Sequence, residues 1–250
     1  AARKINARLM ELSWKIHPRL KERKEIFVGR NDLVEQIEER LDDFSKATPI
    51  ALIASGLPAI GRRTLLQKAL KKANLVRDSY DFPTITLSQL DSIEDFLLKV
   101  IDLGMVPVDL PQLSTVPLEQ KIQLAKTVAE AIAKEGERIL VEDHGVLVQG
   151  SGDLVDWYAD VLASLAPTSH LTFCIASQFR PNPSLSRTNQ LVFSVAVKEL
   201  DVPERNGLLA RYARFHSLDL SRDDLSFFSD LLSGFPEQAL FAVDLVKEHG

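Results

Sequence analysis

An apolar run, Ile50-Ala51-Leu52-Ile53-Ala54, breaks at Ser55-Gly56, and apolar residues return at helical spacing after Gly61 (Leu65, Leu66, Ala69, Leu70). A short continuous apolar run bounded by turn residues reads as a buried strand, and the spacing of three and four that follows reads as a helix. A buried strand that feeds a helix through a tight Gly/Pro loop belongs in an α/β domain with a mainly parallel sheet. It is also the arrangement that aims backbone N–H groups at one spot and favours an anion there.

The loop keeps the glycine spacing of the phosphate-binding frame Gly-x-x-x-x-Gly-Lys-[Ser/Thr], as Gly56-Leu57-Pro58-Ala59-Ile60-Gly61-Arg62-Arg63. Arg62 stands where a Lys would reach the phosphates, and Arg63 where a hydroxyl would hold magnesium. Thr64 offers a hydroxyl one position late and is the metal candidate in this segment. A guanidinium is a planar fork and an ammonium a point charge, so Arg62 would grip a phosphate from a different angle. The same residues also fit a plain Gly/Pro turn.

The chain has 250 residues, 45% apolar and 26% charged, which is the make-up of a globular protein with a sizeable core. Its net charge of −5 speaks against a nonspecific nucleic-acid binder. Cys174 is the single cysteine and lies in an apolar run, so it reads as a core residue and points to a cytoplasmic setting. No apolar run reaches the ~20 residues of a membrane span. The chain begins Ala-Ala-Arg-Lys and is expected to be part of something longer.

Residues 1–25 are basic, and Ile5, Leu9, Leu12 and Ile16 recur at helical spacing, which predicts an amphipathic linker helix. Phe27-Val28-Gly29-Arg30 then precedes a helix capped by Asn31 or Asp32. Helices are expected over 64–73, 92–103, 118–134 and 153–165, with strands over 82–87, 170–176 and 191–197 between and after them. Ile139-Leu140-Val141-Glu142-Asp143 is an apolar strand ending in two acids. Asp143 is the candidate magnesium ligand there, and Glu142 or Asp143 the candidate to orient a hydrolytic water. Acids at a strand end are equally at home in a solvated turn. Arg180, just past a strand, is either a phosphate sensor or a surface arginine before Pro181. From Pro203 onward the pattern is helical, with breaks near 216–221 and at Gly234-Phe235-Pro236.

Taken in order, Phe27–Arg30, Gly56–Leu65, Ile139–Asp143, Arg180 and Gly234-Phe235-Pro236 resemble the motifs of the STAND class of signalling P-loop NTPases, which includes the NACHT and NB-ARC modules and is related to the AAA+ proteins. The resemblance implies a three-layer P-loop NTPase fold: a five-stranded, mainly parallel sheet over 26–200 and a small helical lid over 201–250, after the linker helix at 1–25. It implies ATP or ADP as ligand, with Val28, Gly29 and Arg30 against the adenine and Pro236 packing near the base. Gly56, Leu57, Pro58, Ala59, Ile60, Gly61, Arg62, Arg63, Thr64 and Leu65 would wrap the phosphates. Asp143 would face magnesium, and Arg180 would sense the γ-phosphate. The departures at 59, 62 and 63 imply a regulatory switch with weak hydrolysis or none, at most a slow ATPase. The class implies an adjacent effector domain such as a TIR domain, a C-terminal sensor on the same polypeptide, homo-oligomerisation on activation, and a role in defence signalling. The alternative is a scaffold of the same fold that binds no nucleotide and acts through protein contacts.

Overall fold

The computed structural model describes Leu12, Lys15 and residues 26–77, 79–105, 112–165, 170–185 and 189–249. The linker helix expected over 1–25 therefore falls outside the described residues, apart from Leu12 and Lys15. The described chain divides into two compact units. One holds residues 36–57 and 82–197, and the other gathers the described residues of 1–35, 58–81 and 198–250. Helix α1 (Asn31–Asp42) opens the described elements. Its first turn closes on the Arg30 carbonyl, which accepts from Val34 N at 3.1 Å, so Arg30 takes the cap position, one residue before the expected Asn31.

The first unit is built on five strands: β1 (Ala51–Ser55), β2 (Thr84–Leu87), β3 (Ile139–Asp143), β4 (Phe173–Ser177) and β5 (Val192–Ala196). Every pair is parallel, in the order β2-β3-β4-β1-β5. β1 and β4 are buried along their whole length, which fits their unbroken apolar runs, since a central parallel strand has both faces covered. The register places Leu87, Asp143, Ser177, Ser55 and Ala196 in one row across the C-terminal edge of the sheet. Such an edge is where open α/β sheets place their sites.

Among the described residues, α3 (Ile93–Asp102), α4 (Leu118–Lys134) and α5 (Asp156–Leu165) lie wholly in the same unit. α2, described below, precedes them in sequence. Ser92 caps α3 through a reciprocal box with Asp95, as Ser-x-x-Asp at a helix start predicts. The core under these helices centres on the rings of Phe96, Trp157, Tyr158 and Phe173, whose neighbouring centroids lie 5.5–6.1 Å apart in tilted and edge-on pairs. Cys174 is fully buried, and burial pushes the pKa of its thiol up to about 12.

The second unit contains α2 (Arg62–Lys72), α6 (Val202–Phe215), α7 (Arg222–Leu231) and α8 (Pro236–His249). Leu65, Leu66, Ala69 and Leu70 form the buried face of α2. Capping boxes start α6 (Asp201 with Glu204) and α7 (Ser221 with Asp224). Leu208, Leu209, Tyr212 and Ala213 of α6 meet Ala239 and Val243 of α8 in a core to which Ile26 and Val28 add apolar side chains.

Candidate functional site

The loop that leaves β1 is tied down at its first residue. Gly56 N donates to the Ser177 carbonyl at 3.1 Å, and Val197 N donates to the Ser55 carbonyl at 2.7 Å. The chain then turns through two left-handed residues, Ala59 (φ 61°) and Gly61 (φ 90°), and enters α2 at once. A non-glycine residue there costs about 1–2 kcal/mol, so Ala59 holds a conformation that a glycine would adopt freely. No side chain caps α2, whose first turn opens on Gly61. The first amides of a helix lack intrahelical acceptors and carry its positive end, so this is where an anion would be favoured. Ile60 and Leu65 are buried, and what they offer a ligand is backbone; Leu57 is exposed.

Within the helical unit, a cavity of about 180 Å³ opens beside this helix start. Five of the residues singled out from the sequence line it: Val28, Arg30, Gly61, Thr64 and Pro236. Sequence reasoning missed the rest of its wall, which includes Leu200, Leu208, Tyr212 and Leu240. Their helical spacing announced a core face, and nothing local distinguishes a core face from a cavity wall.

Arg30 is the main polar group of this wall. It is 7% exposed and, like Gly29, left-handed (φ 56° and 71°), which turns the chain sharply ahead of α1. Its backbone N–H donates to Glu204 Oε1 at 2.7 Å, and its Nη2 donates to the Lys198 carbonyl at 3.3 Å. Its Nε is buried without a partner. Burial lowers the guanidinium's pKa, and the Glu204 carboxylate opposes that shift. Glu204 is itself shared: Oε2 accepts from Asp201 N at 3.0 Å, while Asp201 Oδ1 accepts from Glu204 N at 2.8 Å. The Val28-Gly29-Arg30 turn and the start of α6 are therefore fitted to each other. A Cβ on Gly29 would fall 1.9 Å from Glu204 Oε1.

In the sheet unit the acids of β3 take roles other than the expected ones. Asp143 is fully buried, and its carboxylate is taken up by the protein itself. Oδ1 accepts from Val146 N and Leu147 N, both at 2.8 Å. Oδ2 accepts from Val148 N at 3.1 Å and from the Ser177 hydroxyl at 2.9 Å. With both oxygens doubly engaged, Asp143 fastens the turn after β3 and the end of β4. The sequence assigns Asp143 a metal-facing, catalytic role; in the structure its carboxylate accepts these four bonds. Glu142 is half-buried, 3.4 Å from the Thr86 hydroxyl, and Arg180 is exposed. Among the described residues no cluster of three or more His, Cys, Asp or Glu could hold a metal ion.

The cavity has room and donors for the base of a nucleotide. A buried donor there lacks an acceptor, and the missing side chain of Gly61 leaves space that a Cβ would take from Arg30 and Pro236. At position 63 an arginine stands where the phosphate-binding frame has a hydroxyl.

No protein-family model matches the sequence, and neither does any characterised protein by sequence comparison. Solved structures do match in shape. A signal transduction ATPase with numerous domains (STAND) from Pyrococcus horikoshii, with a tetratricopeptide-repeat sensor, is 19% identical at a TM-score of 0.57. The match covers 90% of this chain and 30% of that one, so the chain spans under a third of that protein's length. The ORC2 protein of Aeropyrum pernix, solved as ADPNP and ADP complexes, is 14% identical at 0.56, over 87% of this chain and 61% of that one. AMPPCP-bound DnaA from Aquifex aeolicus is 16% identical at 0.52, over 90% and 64%. In fold, then, the chain is an α/β domain with a five-stranded parallel sheet, like those of these solved structures.

Proposed function

We propose that the chain is a nucleotide-binding regulatory module that takes ATP or ADP, with weak hydrolysis or none. The observation that carries this reading is the meeting of Val28, Arg30, Gly61, Thr64 and Pro236 around one cavity, with the Arg30 Nε buried and unpartnered at its wall. The base would enter the cavity, and the phosphates would follow the amides from Gly61 to Thr64 at the open end of α2. A bound nucleotide supplies the charge and the aromatic surface. The chain supplies the hydrogen-bond donors and the apolar enclosure. The engaged carboxylate of Asp143 and the arginine at 63 favour a switch over a turnover enzyme, because phosphoryl transfer leans on a bound metal.

By the same reading the module works inside a larger polypeptide, between an effector and a sensor, self-associates on activation, and serves defence signalling in the cytoplasm. Among the described residues no helix is long and apolar enough to cross a membrane. The second reading, a nucleotide-free scaffold of the same fold, is favoured by the same two features, Asp143 and Arg63.

Thermal melting with ATP or ADP, with and without magnesium, separates the two. A ligand that binds only the folded form adds RT ln(1 + [L]/Kd), about 2.7 kcal/mol at a hundredfold excess over Kd. A rise in Tm with ADP that is indifferent to magnesium is expected. An unchanged Tm at millimolar ATP and ADP overturns the nucleotide reading and leaves the scaffold.

A further inference from the structure

The cavity wall contains two aromatic residues, Phe27 and, from α6, Tyr212, whose hydroxyl is committed elsewhere. Tyr212 is 4% exposed and lines the cavity. Its hydroxyl donates to Asp244 Oδ1 on α8 at 3.1 Å. The same carboxylate oxygen lies 3.6 Å from His216 Nε2. The His216 ring stands perpendicular to the Tyr212 ring with centroids 4.6 Å apart, and the Phe215 ring lies parallel to it at 6.3 Å and 6°. A tyrosine held at its oxygen and flanked by two rings has little freedom to turn. With its proton given to Asp244, it offers the cavity aryl carbon.

The surrounding wall is apolar apart from Arg30 and Thr64, and at about 180 Å³ the cavity is smaller than the ~300–1,000 Å³ of sites that enclose a whole drug-sized ligand. That space suits a planar ring system better than a complete nucleotide.

We infer that Tyr212 is a specificity-determining residue of this cavity, a fixed aromatic surface against which a heteroaromatic base packs. The inference rests on the nucleotide reading above and deepens it. Arg30 supplies a directed donor to the base edge, and Tyr212 supplies stacking area that a ribose or a bare polyphosphate cannot use, so it selects ligands that carry a base. Asp244 is a positioning residue that acts through Tyr212.

The test uses the 250-residue chain with ADP, inorganic pyrophosphate and 1,N6-etheno-ADP, whose fluorescence reports stacking. The variants are Tyr212→Leu, Tyr212→Phe and, should the first not fold, Tyr212→Met, which fills similar space without a π face. Tyr212→Leu is expected to weaken ADP roughly tenfold or more, to leave pyrophosphate within about twofold of the parent, and to abolish the quenching of the etheno probe. Tyr212→Phe is expected to keep the quenching, because the ring remains. A folded Leu or Met variant that binds ADP as the parent does, or that loses ADP and pyrophosphate equally, overturns the inference. A parent protein that binds none of the three ligands fails at the earlier step and overturns the nucleotide reading itself.

Discussion

Arg30 occupies the space that a side chain at position 61 would need: its Nη1 lies 2.7 Å from where a Cβ on Gly61 would sit. Two motifs that are separate in the sequence are thus packed against each other. Gly61 is also left-handed (φ 90°), where an L-residue is strained. Gly61→Ala should therefore cost about 1–2 kcal/mol in stability and displace the Arg30 guanidinium from the cavity. Urea unfolding would show the midpoint falling at constant m, and ADP protection should fall with it. A variant as stable as the parent would show that Arg30 moves aside freely.

Gly29 makes the same argument against a different partner. Its missing Cβ would run into the Glu204 carboxylate that caps α6 and accepts from Arg30 N. Gly29→Ala is expected to lose about 2 kcal/mol or more, from left-handed strain together with a disturbed cap. In a Glu204→Ala background the same change should cost less, because the clashing group is gone. A double-mutant cycle measures that coupling, and strict additivity would contradict the close fit.

Asp143 has a structural job, and the consequence is measurable. Asp143→Ala leaves three buried amides and the Ser177 hydroxyl without an acceptor. Each unsatisfied buried group costs about 1–3 kcal/mol, so a loss above about 3 kcal/mol is expected. Ser177→Ala removes one of the four bonds and should cost about 1 kcal/mol. Chemical denaturation gives both numbers, and neither should depend on magnesium. An Asp143→Ala protein of parental stability would return this carboxylate to the list of metal ligands.

Acid should weaken the fold in a defined window. The Lys46 ammonium and the Ser45 hydroxyl beside Asp43 hold its carboxyl down to about 2. The Ser92 amide and hydroxyl lower Asp95, and the Ser221 hydroxyl and amide lower Asp224. A carboxylate whose pKa is depressed on folding adds stability that is fully present above its unfolded value, near 4, and is lost as the pH falls through its folded value. Stability should thus decline between about pH 4 and pH 2, and Asp95→Asn, which cannot titrate, should remove part of that decline. Denaturation midpoints across this range check it, and a flat profile would contradict it.

The local pieces of the molecule were legible in the sequence because their causes are local. The helix Leu118–Lys134 follows from the 3–4 residue recurrence of Ile122, Ala125, Val128, Ala129 and Ile132, all buried on one side. Ser92 and Ser221 declared their helix starts through the acid three residues on. The apolar runs of β1 and β4 declared central strands, and the glycines at 29 and 61 marked turns that the structure holds in left-handed conformations.

Tertiary structure decided what depends on distant partners. The strand order β2-β3-β4-β1-β5 arises from pairing between segments far apart in the chain, which no window of residues encodes. Arg30 and Glu204 meet across 174 positions, and only that contact explains why the helix start at Asp201 and the turn at Gly29 belong together. Asp143 had the sequence of a metal ligand, yet its carboxylate is spent on the amides of its own following turn. A side chain's chemistry is written in the sequence. Which donors reach it first is settled by folding, because hydrogen bonds and burial act between groups that the chain brings together only in three dimensions.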